Sequence, residues 1–104
     1  YVPTDNTVAE NTGIIDNVCA PKKVPVIAGE EGICKGCGVA TLSISYYDLG
    51  YATGKMAVKV LKGEADISTL AIGYAETQTP KYNKAICDSL GITPLEGYVA
   101  IEDN

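Results

Sequence analysis

The sequence predicts an α/β fold in which a largely parallel sheet is covered by helices. Two observations carry this expectation. Stretches with helical spacing alternate with short apolar or alternating runs along the 104 residues, the order expected of strand–helix–strand units. Val24-Pro25-Val26-Ile27-Ala28 is a continuous apolar run, as in a parallel strand buried on both faces.

Taken in order, Tyr1-Val2-Pro3 reads as the tail of a strand whose beginning is cut off. Thr7 and Glu10 have capping-box spacing, and Val8, Thr12, Ile15, Val18 and Cys19 recur at helical spacing. This predicts one helix from Thr7 to Ala20, stopped by Pro21, with Gly13 costing about 1 kcal/mol against Ala. The strand at Val24–Ala28 follows, with Pro25 near its start or at an edge, and Gly29-Glu30-Glu31-Gly32 ends it as a turn. Gly36 and Gly38 bracket a stretch expected to be flexible. Val39 to Ser45 alternates, with Ala40, Leu42 and Ile44 on one face and Thr41, Ser43 and Ser45 on the other, which predicts a strand.

Tyr47 to Lys62 is the strongest helix. Leu49, Ala52, Met56, Ala57, Val60 and Leu61 form its stripe, with Lys55, Lys59 and Lys62 towards the end that favours cations and Gly63 as the residue past its C-cap. Glu64 to Ser68 is a polar link, and Leu70 to Ala75 reads as a strand. Asn83 caps a short helix that runs to Leu90 and closes at Gly91. Tyr98 to Ile101 reads as a last strand.

Composition narrows the function. The chain is long enough for one small domain with a modest core. Eight basic against 13 acidic residues give a net charge of −5, which argues against nucleic acid or an anionic membrane as the main partner. There is no His and no Arg, and seven Tyr supply every aromatic ring. Imidazole-based triads and bidentate Arg clamps are therefore excluded within the chain. The longest uncharged run, Gly36 to Tyr47, is too short to cross a bilayer. The glycines form no GxGxxG or GxxxxGK[ST], so phosphate-cradle motifs are absent.

In an open parallel sheet, ligands bind at the carboxyl ends of the strands. Thr4-Asp5-Asn6 follows the first strand and Gly29-Glu30-Glu31 the second, which places both clusters on one sheet edge. Carboxylates there can meet an ammonium group, and a helix start can offer N–H donors to an anion. The plainer reading makes Asp5 and Asn6 turn and cap residues and Glu30 and Glu31 solvated charges. Cys34-Lys35-Gly36-Cys37 is a CxxC. Redox use needs a lowered thiol pKa, and zinc use would need Cys19 and Cys87 as further ligands. Structural thiols or a disulfide are the plainer alternative, and the pairing stays open. Tyr46, Tyr47 and Tyr51 read as packing residues, with ligand stacking as the other choice.

Three motifs then become recognisable. Val-Pro-Thr-Asp-Asn-Thr (Val2 to Thr7), Pro-Val-Ile-Ala-Gly-Glu-Glu-Gly (Pro25 to Gly32), and Tyr-Tyr-Asp-Leu-Gly with Thr-Gly-Lys-Met-Ala and Leu-Lys-Gly-Glu (Tyr46 to Glu64) occur in order. The chain resembles the ABC-transporter substrate-binding protein family, similar members including tryptophan- and tyrosine-type amino acid receptors. Cys34 and Cys37 stand where that family usually has small or apolar residues. The resemblance implies the C-terminal portion of a type I periplasmic-binding fold, a three-layer αβα arrangement of two lobes closing on a ligand. Residues 1–30 and 70–104 would be second-lobe elements, and residues 39–62 the last strand and helix of the first lobe.

The resemblance implies further that Thr4, Asp5, Asn6, Gly29, Glu30 and Glu31 line the cleft between lobes. It implies capture of a small-molecule solute, an amino acid and an aromatic one by preference, for an ABC permease, without catalysis or cofactor. An extracytoplasmic setting follows, periplasmic or as a cell-surface lipoprotein. The remainder of the parent chain would be the fragment's partner, and sheet edges left open by its absence favour a homodimer. The alternative is a thiol redox or metal-binding module using Cys34 and Cys37.

Overall fold

All but one of the helices begin where a polar or acidic side chain takes up N–H groups that the first turn leaves without partners. The computed structural model describes residues 1–102. Asp5 accepts from the Val8 N–H at 2.9 Å and opens α1 (Asn6–Ala9). The single helix expected from Thr7 to Ala20 is broken, and α2 (Thr12–Cys19) follows after Glu10 and Asn11. Asn11 is the cause. Its side-chain amide donates to the Thr7 carbonyl at 2.7 Å, the acceptor its own backbone N–H would need for the helix to continue, while that N–H turns to Val8. Thr7 lies inside α1, so Asp5 is the cap rather than the expected Thr7.

The apolar run pairs over a short stretch, as β1 (Ile27–Ala28), and Val2 bridges Ala28 in parallel. The region expected to be a turn and a flexible link is α3 (Glu31–Cys37), capped by Glu30. Its buried residues Ile33, Cys34 and Cys37 share one helix face by their three- and four-residue spacing. Gly36 belongs to this helix for a packing reason. A Cβ there would lie 2.1 Å from the Thr12 hydroxyl oxygen and 2.5 Å from the Thr12 Cβ, so the missing side chain is what lets α2 and α3 approach.

β2 (Ala40–Ile44) alternates as expected, but the polar face is the covered one. Thr41 and Ser43 are buried, whereas Leu42 is 54% exposed. Ser45 caps α4 (Tyr46–Leu61), accepting from the Asp48 N–H at 3.1 Å. Leu70–Ala75 is not a strand. The strand comes later, as β3 (Gln78–Tyr82), across Pro80. β4 (Val99–Ala100) pairs with β3 at Lys81 and Tyr82 only, so its ladder starts beyond the proline that cannot donate to it. α5 (Lys84–Leu90) is capped by Asn83 and closed by Gly91 in the left-handed conformation, as its sequence requires.

The sheet order is β1-β2-β3-β4, with β1–β2 and β3–β4 parallel. Asn83 donates to the Val39 carbonyl at 3.1 Å. That sets the start of β2 beside the end of β3, so this central pair is antiparallel within a mostly parallel sheet. The architecture is α/β, as the sequence predicts.

The chain forms two compact units. The first holds Tyr1–Ser43 and the segment from Thr79 onward; the second is Ile44–Gln78. The last two positions of the 70–104 segment lie outside the described residues. The core of the first unit is Val26, Ala28, Ile33, Cys34 and Cys37, with Val2, Val8, Ile15, Cys19 and Ile101 packed against it. In the second unit no residue is buried. The α4 stripe is half-buried at Leu49, Ala52, Met56 and Val60 and exposed at Ala57 and Leu61.

Replacing Gly36 with Ala should therefore cost about 1–3 kcal/mol of stability by overpacking. Gly13→Ala, where an added Cβ meets nothing within 4 Å, should instead raise stability by up to about 1 kcal/mol. Urea titrations of the two variants against the parent check both signs.

Candidate functional site

The two polar clusters are brought together by backbone pairing. The Val2 N–H donates to the Ile27 carbonyl at 2.9 Å and the Gly29 N–H to the Val2 carbonyl at 2.8 Å. These bonds carry Pro3-Thr4 alongside Gly29. A Cβ on Gly29 would lie 2.8 Å from the Thr4 nitrogen and 3.0 Å from its hydroxyl oxygen. Glycine is thus required by close approach, since its φ is not in the left-handed region. Thr4, Asp5 and Asn6 leave one strand end exposed, and half-buried Gly29, Glu30 and Glu31 leave the next.

Within this edge the carboxylates differ in what they hold. Asp5 uses Oδ1 for the Val8 N–H. Glu30 uses both oxygens: Oε2 accepts from the Gly32 N–H at 2.8 Å and Oε1 from the Ile33 N–H. Glu31 forms an ion pair with Lys81, Oε2 to Nζ 2.6 Å. The cap reading of Asp5 is therefore realised, whereas neither Glu30 nor Glu31 is the solvated charge expected: Glu30 caps α3 and Glu31 is paired. Of the three acids, Asp5 is the one exposed.

Lys81 and Asn83 are the residues that sequence reasoning did not single out at this edge. Asn83 does more than cap α5. Its Nδ2 donates to the Cys34 carbonyl at 3.3 Å and the Lys35 carbonyl at 2.8 Å. Both residues reach α3 from about 50 positions away, and no local spacing signals such a contact.

The surroundings of the CxxC do not support a redox or metal role. Cys34, Cys37 and Cys87 are buried, Cys19 is half-buried, and all four are free thiols. Cys34 Sγ lies 3.6 Å from the Gly38 carbonyl and Cys87 Sγ 3.5 Å from the Val39 carbonyl. Burial, then the neighbouring Cys87 and Cys37, pushes the Cys34 thiol up to about 12. Burial likewise raises Cys37 and Cys87. A redox thiol needs the opposite shift. Among the described residues no group of three potential ligands is arranged to hold a metal ion. The thiols are core side chains.

Tyr46, Tyr47 and Tyr51 are exposed rather than packed. The Lys55 ammonium sits 4.7 Å from the centre of the Tyr51 ring, a cation–π contact. An open hollow of about 840 Å³ runs along α4, lined by Tyr51, Lys55, Met56, Lys59, Gly73 and Tyr74 among others. None of the six edge residues borders it.

Comparison with known proteins adds kinship to this geometry. The family model for ABC transporter substrate binding protein matches residues 1–101. The chain is 40% identical over 65 residues to the tyrosine-binding protein of Clostridioides difficile strain R20291, a match covering 62% of this chain and 19% of that protein. Among solved structures, it resembles the ligand-free, open form of a substrate-binding protein with adhesive properties from Clostridium difficile. That likeness has a TM-score of 0.75 at 34% identity, over 100% of this chain and 36% of the other. It also resembles a Streptococcus pneumoniae ABC domain in complex with L-Trp, with a TM-score of 0.76 at 35% identity over 94% of this chain and 35% of that one. The chain thus spans about a fifth of the curated relative and about a third of these structures.

The thiols should titrate as their burial dictates. Cys34 keeps its proton in the fold up to about pH 12, whereas an ordinary thiol loses it near 9.0. Between those values the native state binds more protons than the unfolded one, so stability falls as pH rises, by at most about 1.4 kcal/mol per pH unit for this group. The urea midpoint should drop from pH 8 to pH 10, and less so in Cys34→Ala. An equal drop in the variant would contradict the assignment.

Proposed function

The chain belongs to the ABC transporter substrate-binding protein family, and from that premise we propose that it supplies one wall of a solute site for an importer. The solute is a small zwitterion, an amino acid, and by kinship an aromatic one. The tyrosine-binding relative and the L-Trp complex support that choice. The reading includes a two-lobed complete receptor, an extracytoplasmic setting and a membrane permease that takes the solute onward.

The observation that carries the proposal is the approach of Gly29 to Thr4, closer than any side chain would allow. It gathers Thr4, Asp5, Asn6, Gly29, Glu30 and Glu31 on one sheet edge, where open α/β sheets bind ligands. Asp5 takes the solute's ammonium. It is exposed, and its cap bond engages a single oxygen. Glu30 serves by holding the start of α3, since both its oxygens are occupied. Asn6 and the Thr4 hydroxyl offer hydrogen bonds to the rest of the solute's polar end. The aromatic side chain is received by residues of the complete receptor beyond this edge.

Calorimetric titration of the complete protein with L-tyrosine and L-tryptophan tests this reading. One of the two should bind. Asp5→Ala should weaken that binding about tenfold or more, the loss of a charge-assisted hydrogen bond. Absence of binding to any amino acid, or unchanged affinity in Asp5→Ala, would refute the assignment.

A further inference from the structure

We propose that Lys81 is a positioning residue for the solute edge. Its ammonium, 2.6 Å from Glu31 Oε2, anchors the first turn of α3 so that Gly29 and the Glu30 cap keep their place at the edge the solute meets. This deepens the proposed function and rests on it.

The argument begins from what α3 lacks. It is seven residues long, Glu31–Cys37, too short to hold itself as an isolated helix. Its inner face is seated by Ile33, Cys34 and Cys37 in the core. Its N-terminal end is instead held by polar side chains. Glu30 closes the end from within, through the Gly32 and Ile33 N–H groups. From outside, Lys81 on β3 reaches Glu31 in this first turn, while Asn83, just past β3, holds the opposite end of the helix through the Cys34 and Lys35 carbonyls. Of these two, the lysine grips the turn that follows Gly29 and Glu30 directly.

The pair is partly shielded, with side chains 27% and 39% exposed. Solvent screening is therefore incomplete, and the contact is worth more than a fully exposed pair. It also disposes of a charge. Glu31 stands beside Glu30 in the sequence, and an unpaired second carboxylate would repel it. Neutralised by Lys81, Glu31 leaves the turn free to keep Glu30 as its cap.

The test uses the complete receptor with L-tryptophan and L-tyrosine as probes, by calorimetry, together with amide hydrogen exchange of the free protein. Lys81→Met should weaken binding about fivefold and speed exchange of the Gly32 and Ile33 amides. Lys81→Arg should keep binding within about twofold of the parent. Wild-type affinity in Lys81→Met, or unchanged exchange at Gly32 and Ile33, overturns the positioning role. If Lys81→Met fails to fold, Lys81→Gln decides: weakened binding with faster Gly32 and Ile33 exchange supports the role, and parent values of either overturn it. A parent protein that binds neither amino acid defeats the underlying solute reading instead. The exchange measurement needs no ligand and so separates the two failures.

Discussion

The arrangement of the first unit depends on one close approach, that of the Gly29 backbone to Pro3 and Thr4. Two hydrogen bonds between Val2 and the Ile27–Gly29 segment set it, and the absent side chain permits it. With the two strand ends locked side by side, the polar residues that follow each must emerge at one edge. Any side chain at position 29 would crowd the Thr4 backbone nitrogen and hydroxyl.

Behind that edge, α3 converts a turn into a support. Its apolar face fills the core with Ile33, Cys34 and Cys37, and its glycine face admits α2 at Thr12. Cysteine suits this place because it is small and readily buried. The cost is borne only at high pH, where a buried thiol cannot ionise as an exposed one does. The same helix explains why the acids at the edge are not equivalent. Glu30 caps it, Glu31 is tied to Lys81, and Asp5, on a different helix, keeps an oxygen turned to no partner within its cap.

The second unit follows different physics. Its helix is specified locally, by the Ser45 cap, an apolar stripe and a glycine past its end with φ of +72°. Yet it buries no residue, and its tyrosines stand in solvent. Local signals are enough to form such a helix but not to enclose it.

The sequence by itself determined whatever depends on near neighbours. The α/β alternation, α4, α5 with Asn83 and Gly91 at its ends, and the polar clusters at two strand ends are all legible there, because caps, stripes and turn residues act over three or four positions. It was less informative where two local rules compete. Asn11 ends α1 by taking one carbonyl, and α3 hides behind glycines that read as a flexible link. Only the tertiary structure decided that Thr41 and Ser43 face inward while Leu42 faces out, since alternation is symmetric until something covers one face. It alone decided that the strand crosses Pro80 rather than Leu70–Ala75, because a strand exists only where a partner runs beside it. And it alone brought Lys81 to Glu31 across 50 positions, a contact between two charges whose sequence neighbourhoods say nothing of each other.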